Sequence, residues 1–400
     1  CVALEPDRPQ AWNNLGCTYQ ERQPDLALPA FKKAHGLDPT NTDALSNLVS
    51  SSSALGLHED AVEWADVCLT YAPGHPDATY NAAFALLHLG RWEEAWKRYA
   101  PSMGVNEMRR ARNYHADRET PRFNLDEFEP GDVCVVYGEQ GVGDQIIFAS
   151  MLNDFMDLGV EVIIETNKQM EDLFRRSFAN ADVFGTLGED YCAWPAEMRI
   201  DWKLEMGALG EFVAPQPFRT GRYLDASPTW RAAWRAALKA ADPAAKLRVG
   251  IAWSAGTMGT CRHERTVPFE ELKPLMGIEG VQLVCLEYTD ARDTIGGAPI
   301  YNPRLDLVNR NYDITAALVD ELDLVIAPTT AVVDCAGALG KEVWVMCPTR
   351  PPWRYADYLG EDAMFVYESA RVFRQSEDHE WGDVVLDIAG RLKRRAGMLS

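Results

Sequence analysis

Basic residues are scarce in this 400-residue chain: 39 lysines and arginines stand against 60 aspartates and glutamates, for a formal charge of −21. A general nucleic-acid binder needs a basic surface to neutralise phosphates, so this balance excludes that class. No apolar run approaches the roughly 18 residues of a membrane-spanning helix, and no secretory signal is visible. Paired cysteines are also missing. The nine cysteines (1, 17, 68, 134, 192, 261, 285, 335 and 347) show no C-x-x-C spacing, and those inside apolar runs behave as small hydrophobes. Reduced thiols in a cytoplasmic protein are the expectation. The seven histidines lack metal-ligand spacing, so no structural zinc is expected. What remains, 47% hydrophobic and 25% charged residues, is ordinary for globular domains, and the length suits two or three of them. Any anionic ligand must be held by a local cluster of arginines or backbone N–H groups.

A period is present at the front. Trp12-Asn-Asn-Leu15-Gly16-x-x-Tyr19…Ala27…Phe31-x-x-Ala34…Pro39 is followed by Leu45-x-x-Leu48-Val49…Gly56…Ala61…Ala65-x-x-Cys68…Pro73. A third unit reads Ala82-Ala83-x-x-Leu86…Gly90…Ala95…Tyr99, and Pro39 to Pro73 is a step of 34 residues. This resembles the tetratricopeptide repeat, in which small residues let paired helices approach and proline ends each unit. Pro6 and Cys1 fall on the closing positions of a preceding unit, so the chain is expected to open within an earlier repeat's second helix. Such arrays commonly bind peptides in a groove; bracing the downstream region is the plainer reading.

After an arginine-rich stretch (Arg109, Arg110, Arg112, Arg118, Arg122) the pattern changes. A strand at 132–137 runs into Gly138-Glu-Gln-Gly-Val-Gly-Asp144, a helix is expected over 145–158, and a second strand over 161–165. A second series follows the alanine-rich helix at 230–241: strands at 248–253, 281–286, 322–327 and 342–347, separated by helices at 269–276, 314–321 and 331–339. Continuous apolar strands alternating with helices indicate parallel sheets covered on both faces. The expected organisation is repeats and connector over 1–115, one Rossmann-like half over 116–228 and another over 229–400, with ligands at the carboxyl ends of the strands.

The loops after these strands carry the candidate chemistry. Gln140, Gly141 and Gly143 lie where glycines permit close backbone approach to a ligand and a tight turn into a helix. Their spacing is not the dinucleotide fingerprint G-x-G-x-x-G, so no nicotinamide cofactor is proposed. Asp144 suits either an N-cap or a base. Ser254, Thr257, Arg262 and Arg265 follow the next half's first strand and have the residue types of a diphosphate cradle. Thr329 and Thr330 open a helix whose free N–H groups form another phosphate seat, with ordinary capping as the bland alternative.

Taken together, Gly138–Asp144, the Trp253 loop closing at Arg265-Thr-Val-Pro268, Asp323-Leu-Val-Ile…Ala336-Gly-Ala-Leu-Gly-Lys341-x-Val-Trp344, Trp353-Arg354 and Phe373-Arg374-Gln375 resemble one family over nearly the whole chain. They are similar to bacterial tetratricopeptide proteins with a heptosyltransferase-like catalytic region. The resemblance implies a GT-B fold, two Rossmann-like domains facing a cleft. It also implies a metal-independent, inverting transfer of sugar from a nucleotide diphosphate; no Asp-x-Asp occurs in this chain. No cofactor is implied beyond the nucleotide-sugar substrate.

By the same resemblance Asp144 matches the general base and Arg265 the group that offsets charge on the leaving diphosphate. Ser254 and Thr257 match the phosphate loop, and Glu287 the nucleoside contact. Thr329-Thr330 and Asp334-Cys335 stand where the family has Asp-Thr and then His, with Asp334 one helical turn along as a substitute carboxylate. That departure leaves open a divergent enzyme acting on a protein or peptide hydroxyl, an inactive scaffold, or a transferase of lipid or polysaccharide. Trp353 follows a proline-rich loop and divides evenly between stacking on a ligand and packing, whereas Trp344 and Trp381 read as packing. Lys393-Arg394-Arg395 reads as a solvated helix end.

Overall fold

A computed structural model describes residues 2–20, 23–99, 120–187, 189, 192, 194–195, 197–213, 221–256, 262–308, 310–357, 362–376 and 378–397. The chain divides into two units: residues 1–112 with 214–216 and 352–358, and residues 113–213 with 217–351 and 359–400. The two α/β halves expected over 116–228 and 229–400 thus fall largely in one unit.

The first unit is built of three helical hairpins: α1 (Pro9–Tyr19) with α2 (Pro24–Leu37), α3 (Thr42–Ala54) with α4 (His58–Tyr71), and α5 (Pro76–His88) with α6 (Trp92–Tyr99). Prolines open α1, α2 and α5, where the missing N–H costs nothing and the fixed φ suits a helix. Asn41 caps α3 through Ala44 N. The turns after α3 and α5 place Gly56 at φ 77° and Gly90 at φ 70°, a left-handed conformation that glycine adopts without steric cost. Gly16 lies where any Cβ would meet the Phe31 ring at 2.4 Å, so the hairpin α1–α2 closes only on glycine. Ala27, Phe31, Leu45, Leu48, Cys68 and Ala78 form the buried seam.

In the second unit, β1 (Val133–Tyr137), α7 (Val142–Ala149), α8 (Leu152–Met156), β2 (Glu161–Glu165), α9 (Glu171–Ser177), β3 (Asp182–Phe184) and β4 (Trp202–Glu205) form an all-parallel sheet in the order β3-β2-β1-β4. The helix expected over 145–158 is two helices. The chain breaks at Ser150, whose Oγ donates to Ile147 O at 2.7 Å, a local bond that competes with helix continuation.

The second series runs α10 (Pro228–Ala241), β5 (Leu247–Ile251), α11 (Arg262–Arg265), β6 (Val281–Cys285), α12 (Arg292–Ile295), β7 (Ile300–Tyr301), α13 (Tyr312–Asp320), β8 (Leu324–Pro328), α14 (Ala331–Ala338), β9 (Val343–Cys347), β10 (Ala370–Arg374) and α15 (Gly382–Gly397). Its strands are all parallel, in the order β10-β9-β8-β5-β6-β7. Counted from β5, that is 3-2-1-4-5-6, the doubly wound order with its switch point between β5 and β8. Residues 269–275 form a 3-10 turn holding Pro274 in place of the expected α-helix, because proline supplies no N–H for the i→i−4 ladder. All five residues of β8 and of β9 are buried, as covering on both faces requires.

Candidate functional site

Both candidate loops open at switch points. The glycine loop follows β1, beside β4 in the first sheet, and the Ser254 loop and Thr329-Thr330 follow β5 and β8 in the second. These are the positions where a doubly wound sheet parts its connections to opposite faces and leaves a crevice. The helices that leave them meet: α7 from the first sheet packs against α14 from the second.

That meeting explains part of the glycine pattern. A Cβ on Gly143 would lie 2.7 Å from Asp334 Oδ2 and 3.4 Å from Ala331 Cα. A Cβ on Gly138 would lie 2.6 Å from Gln145 Cδ. Gln145 is 1% exposed; its Nε2 donates to Gln140 O at 2.9 Å and its Oε1 accepts from Thr166 Oγ1 at 2.6 Å. Gly138 and Gly143 are therefore required by neighbouring side chains of the protein itself. Gly141 differs: it is the N-cap of α7, and a Cβ there would meet only Asp144 Oδ2, at an ordinary 3.5 Å. Asp144 lies in the first turn of α7 and is half-buried, in the favourable field of the helix N-terminus.

At the second switch point, Glu287 is 4% exposed. Its Oε1 accepts from Trp253 N and Ser254 N, each at 2.8 Å. The carboxylate thereby occupies the two loop amides nearest the strand end. Val267 N donates to Trp253 O at 2.9 Å and pinches the loop at its base. Arg265 Nε donates to Thr329 Oγ1 at 2.9 Å, and its Nη2 donates to Thr329 O. Thr329 is fully buried, so Arg265 is fixed across the carboxyl ends of β5 and β8. Thr330 is the N-cap residue of α14 without a side-chain capping bond. Arg262 begins α11 and is exposed. Asp334, 1% exposed, lies inside the α7–α14 contact rather than on an open surface. Thr257 lies outside the described residues.

Trp353 and Arg354 belong to the repeat unit. Trp353 is 3% exposed, and its ring stands edge-on to Trp92 of α6, with centroids 6.3 Å apart. This is packing.

Residues to which the sequence pattern gave no role in the site, Arg374 of the quoted motifs among them, make bonds around it. Arg176 of α9 makes a bidentate pair with Asp313 of α13, at 2.7 and 2.6 Å, and Ser227 N donates to the same carboxylate at 3.0 Å. Burial pushes the Asp313 carboxyl above its usual range against the opposing pull of Arg176. A cavity of about 510 Å³ lies beside this clamp, lined by Asp172, Arg175, Arg176, Ser227, Thr229, Trp230 and Asp313; its two guanidiniums are matched by two carboxylates. Tyr223 OH donates to Ile146 O at 2.9 Å and lies 3.1 Å from Tyr367 OH. Arg374 Nη1 donates to Cys347 Sγ at 3.6 Å at the ends of β9 and β10, while burial holds the Cys347 thiol up at about 12, against the fields of Arg374 and Arg265. These partners lie far apart in sequence, and only the polar Gln145 within an apolar helix gave a local sign.

Compared with known proteins, the chain matches no family model. It is 25% identical over 425 residues to Protein FlbA of Caulobacter vibrioides, a match covering 98% of this chain and 68% of FlbA. Among solved structures, the crystal structure of MamA protein matches 26% of this chain at 21% identity and a TM-score of 0.25. The crystal structure of YrrB, described as a TPR protein with an unusual peptide-binding site, matches 25% at 24% identity and a TM-score of 0.24. The chain spans 57% of that MamA chain and 52% of the YrrB chain. No helix among the described residues is long and apolar enough to cross a membrane.

Proposed function

We propose that this protein transfers a sugar from a nucleotide diphosphate to a hydroxyl of a polypeptide carried by the helical repeats. In this reading the two parallel sheets form a GT-B pair of domains. One observation carries it: helices leaving the switch points of two doubly wound sheets meet at Gly143 and Asp334, setting Asp144 one residue from the other sheet's ligand-binding edge. Ligands of such folds bind at these edges.

The chemistry follows from the residues. The acceptor oxygen attacks the anomeric carbon, Asp144 takes its proton, and the bond to the diphosphate breaks with inversion. The electron pair leaves on the diphosphate, whose charge is met by Arg265 and the N–H groups at the start of α14. Glu287 occupies the Trp253 and Ser254 amides, so Arg265 is the main anion contact.

The test is calorimetric titration with a panel of nucleoside diphosphates and nucleotide-sugars, then a transfer assay. Saturable binding of one nucleotide, at least tenfold weaker in Arg265→Ala, with transfer lost and binding kept in Asp144→Asn, supports the reading. Full transfer by Asp144→Asn removes the assigned base. A second reading, a non-catalytic scaffold, is favoured by Asp334 filling the α7–α14 contact and Arg265 resting on Thr329; absence of binding across the whole panel selects it.

A further inference from the structure

The cavity of about 510 Å³ beside the Arg176–Asp313 clamp is lined from three places: α9, which follows β2 of the first sheet, α13, which precedes β8 of the second, and the start of α10, which leads into β5. That volume is within the roughly 300–1,000 Å³ of small-ligand pockets. Its lining does not suit an apolar ligand. Among the described residues no aliphatic side chain contributes, and the one aromatic ring is that of Trp230, which is 42% exposed. An indole left in solvent beside a cavity is a large apolar face without cover.

Charge decides what the cavity can hold. Arg176 is engaged by the Asp313 carboxylate through two bonds and donates to Asp225 O at 3.0 Å. Arg175 donates to Val183 O at 3.0 Å and pairs with Glu171 and, at 3.6 Å, with Asp172. Asp172 also accepts from Asn311 Nδ2 at 3.0 Å. An entering anion faces Asp172 and Asp313, and an entering cation faces two guanidiniums. Either must disturb an existing pair, and opening a buried one is costly. A neutral ligand disturbs none. Hydrogen-bonding capacity nevertheless remains, because a carboxylate accepts at about four lone-pair positions and a guanidinium carries five N–H donors. Thr229 Oγ1 and Trp230 Nε1, both on the exposed first turn of α10, make no hydrogen bond among the described residues.

We propose that this cavity binds a neutral carbohydrate. A pyranose presents a face of C–H groups and a rim of hydroxyls that donate and accept. Trp230 covers the face, while the Thr229 hydroxyl and the remaining lone pairs and N–H groups of Asp172 and Arg175 meet adjacent hydroxyls. A phosphorylated or carboxylated sugar meets the field of Asp172 and Asp313 instead, so the occupant is not a nucleotide-sugar. Because the lining comes from both α/β halves and from the segment that joins them, an occupied cavity ties α9 to α10 and α13. The proposal goes beyond the transferase reading and does not depend on it.

The test is saturation-transfer NMR on the full chain with the methyl glycosides of glucose, galactose, mannose and N-acetylglucosamine, alongside glucose 6-phosphate and inorganic phosphate. At least one neutral glycoside is expected to bind saturably with a Kd of about 1 mM to a few millimolar, which is what roughly a dozen ligand atoms supply. Trp230→Ala is expected to weaken it at least fivefold and Trp230→Phe to restore most of the binding, with melting curves like that of wild type because the side chain is exposed. No saturable binding of any neutral glycoside overturns the proposal. Tighter binding of glucose 6-phosphate or phosphate than of every glycoside overturns the neutral ligand, and unchanged binding in Trp230→Ala overturns the place. Nucleotide titration of the same variants reads the edges of β5 and β8 separately, so loss of glycoside binding with nucleotide binding intact falls on this cavity alone.

Discussion

Gly143→Ala tests whether the α7–α14 contact is as tight as the structure places it. The added Cβ would stand 2.7 Å from Asp334 Oδ2 and 3.4 Å from the Ala331 backbone. The first distance is well inside van der Waals contact, so the two helices must separate or the buried carboxylate must turn. Asp334 is 1% exposed and has little room to turn. Overpacking of this kind costs about 1–3 kcal/mol. The gain from replacing a helical glycine with alanine is at most about 1 kcal/mol, and less in a first turn. A net loss of about 1–2 kcal/mol follows, or roughly 3–6 °C in the melting temperature of a unit of this size. Urea denaturation of wild type, Gly143→Ala, Asp334→Ala and the double variant closes the cycle. Because Asp334→Ala removes the nearer clash, the double variant should be more stable than the sum of the single losses by about 1 kcal/mol. A Gly143→Ala protein as stable as wild type, or a cycle with no coupling, refutes the contact.

Two further effects follow from particular groups. Glu287→Ala leaves the buried Trp253 amide and the half-buried Ser254 amide without their carboxylate and should cost about 2–4 kcal/mol in denaturant midpoint analysis, with Glu287→Gln losing less than half of that; equal stability of all three proteins removes Glu287 as the brace of this loop. His58 and His88 stack with ring centroids 3.9 Å apart at 12°, and burial, with His58 beside it, holds His88 down at about 3 against an ordinary 6.5. The unfolded imidazole takes up a proton below about 6.5 and the folded one does not, so the repeats keep this stability above that pH and lose it as the pH falls from 6.5 toward 3. At pH 5 the loss is up to about 2 kcal/mol; circular-dichroism melts at pH 7.5 and 5 should differ for wild type and differ less for His88→Phe, where burial still holds the His58 imidazole below its ordinary value, and superimposable wild-type melts would contradict the assignment.

The helical hairpins were legible because each repeat states the pattern again: Pro39 and Pro73, Gly56 and Gly90, Ala27 and Ala61 agree in phase. The strands β1, β2, β5, β6, β8 and β9 were legible because burial on both faces demands continuous Val, Ile and Leu runs. The short strands β3, β4 and β7 were not read, nor was β10 identified as a strand. All four are sheet edges, paired on one side alone over two to five residues, which leaves little pattern. The break between α7 and α8 was missed for a similar reason, since apolar periodicity runs through Ser150 and Met151 without interruption. At the site, the identity of the loops could be read but not the occupants of their amides. Glu287 reaches back 33 and 34 residues to its partners, and Arg176 reaches forward 137. No local spacing encodes such pairs.

The glycine loop shows how a motif can be read correctly as backbone permissiveness while its beneficiary is misassigned. Glycine after a first strand means that something lies close to the backbone, and a ligand is the natural candidate. Here Gln145 presses on Gly138 and Asp334 on Gly143, so Gly138 reports on packing within the first half and Gly143 on how the halves are held together. Gly141 is left as the position whose missing side chain serves no neighbour beyond Asp144. Under the transferase reading the ligand-facing part of the loop narrows to Gly141 and Asp144, and Gly141→Ala becomes informative. It removes no packing and adds a methyl only where the acceptor approaches Asp144. Under the transferase reading it should lower transfer at least tenfold while the denaturation midpoint stays within error of wild type; unchanged transfer would move the acceptor away from the start of α7.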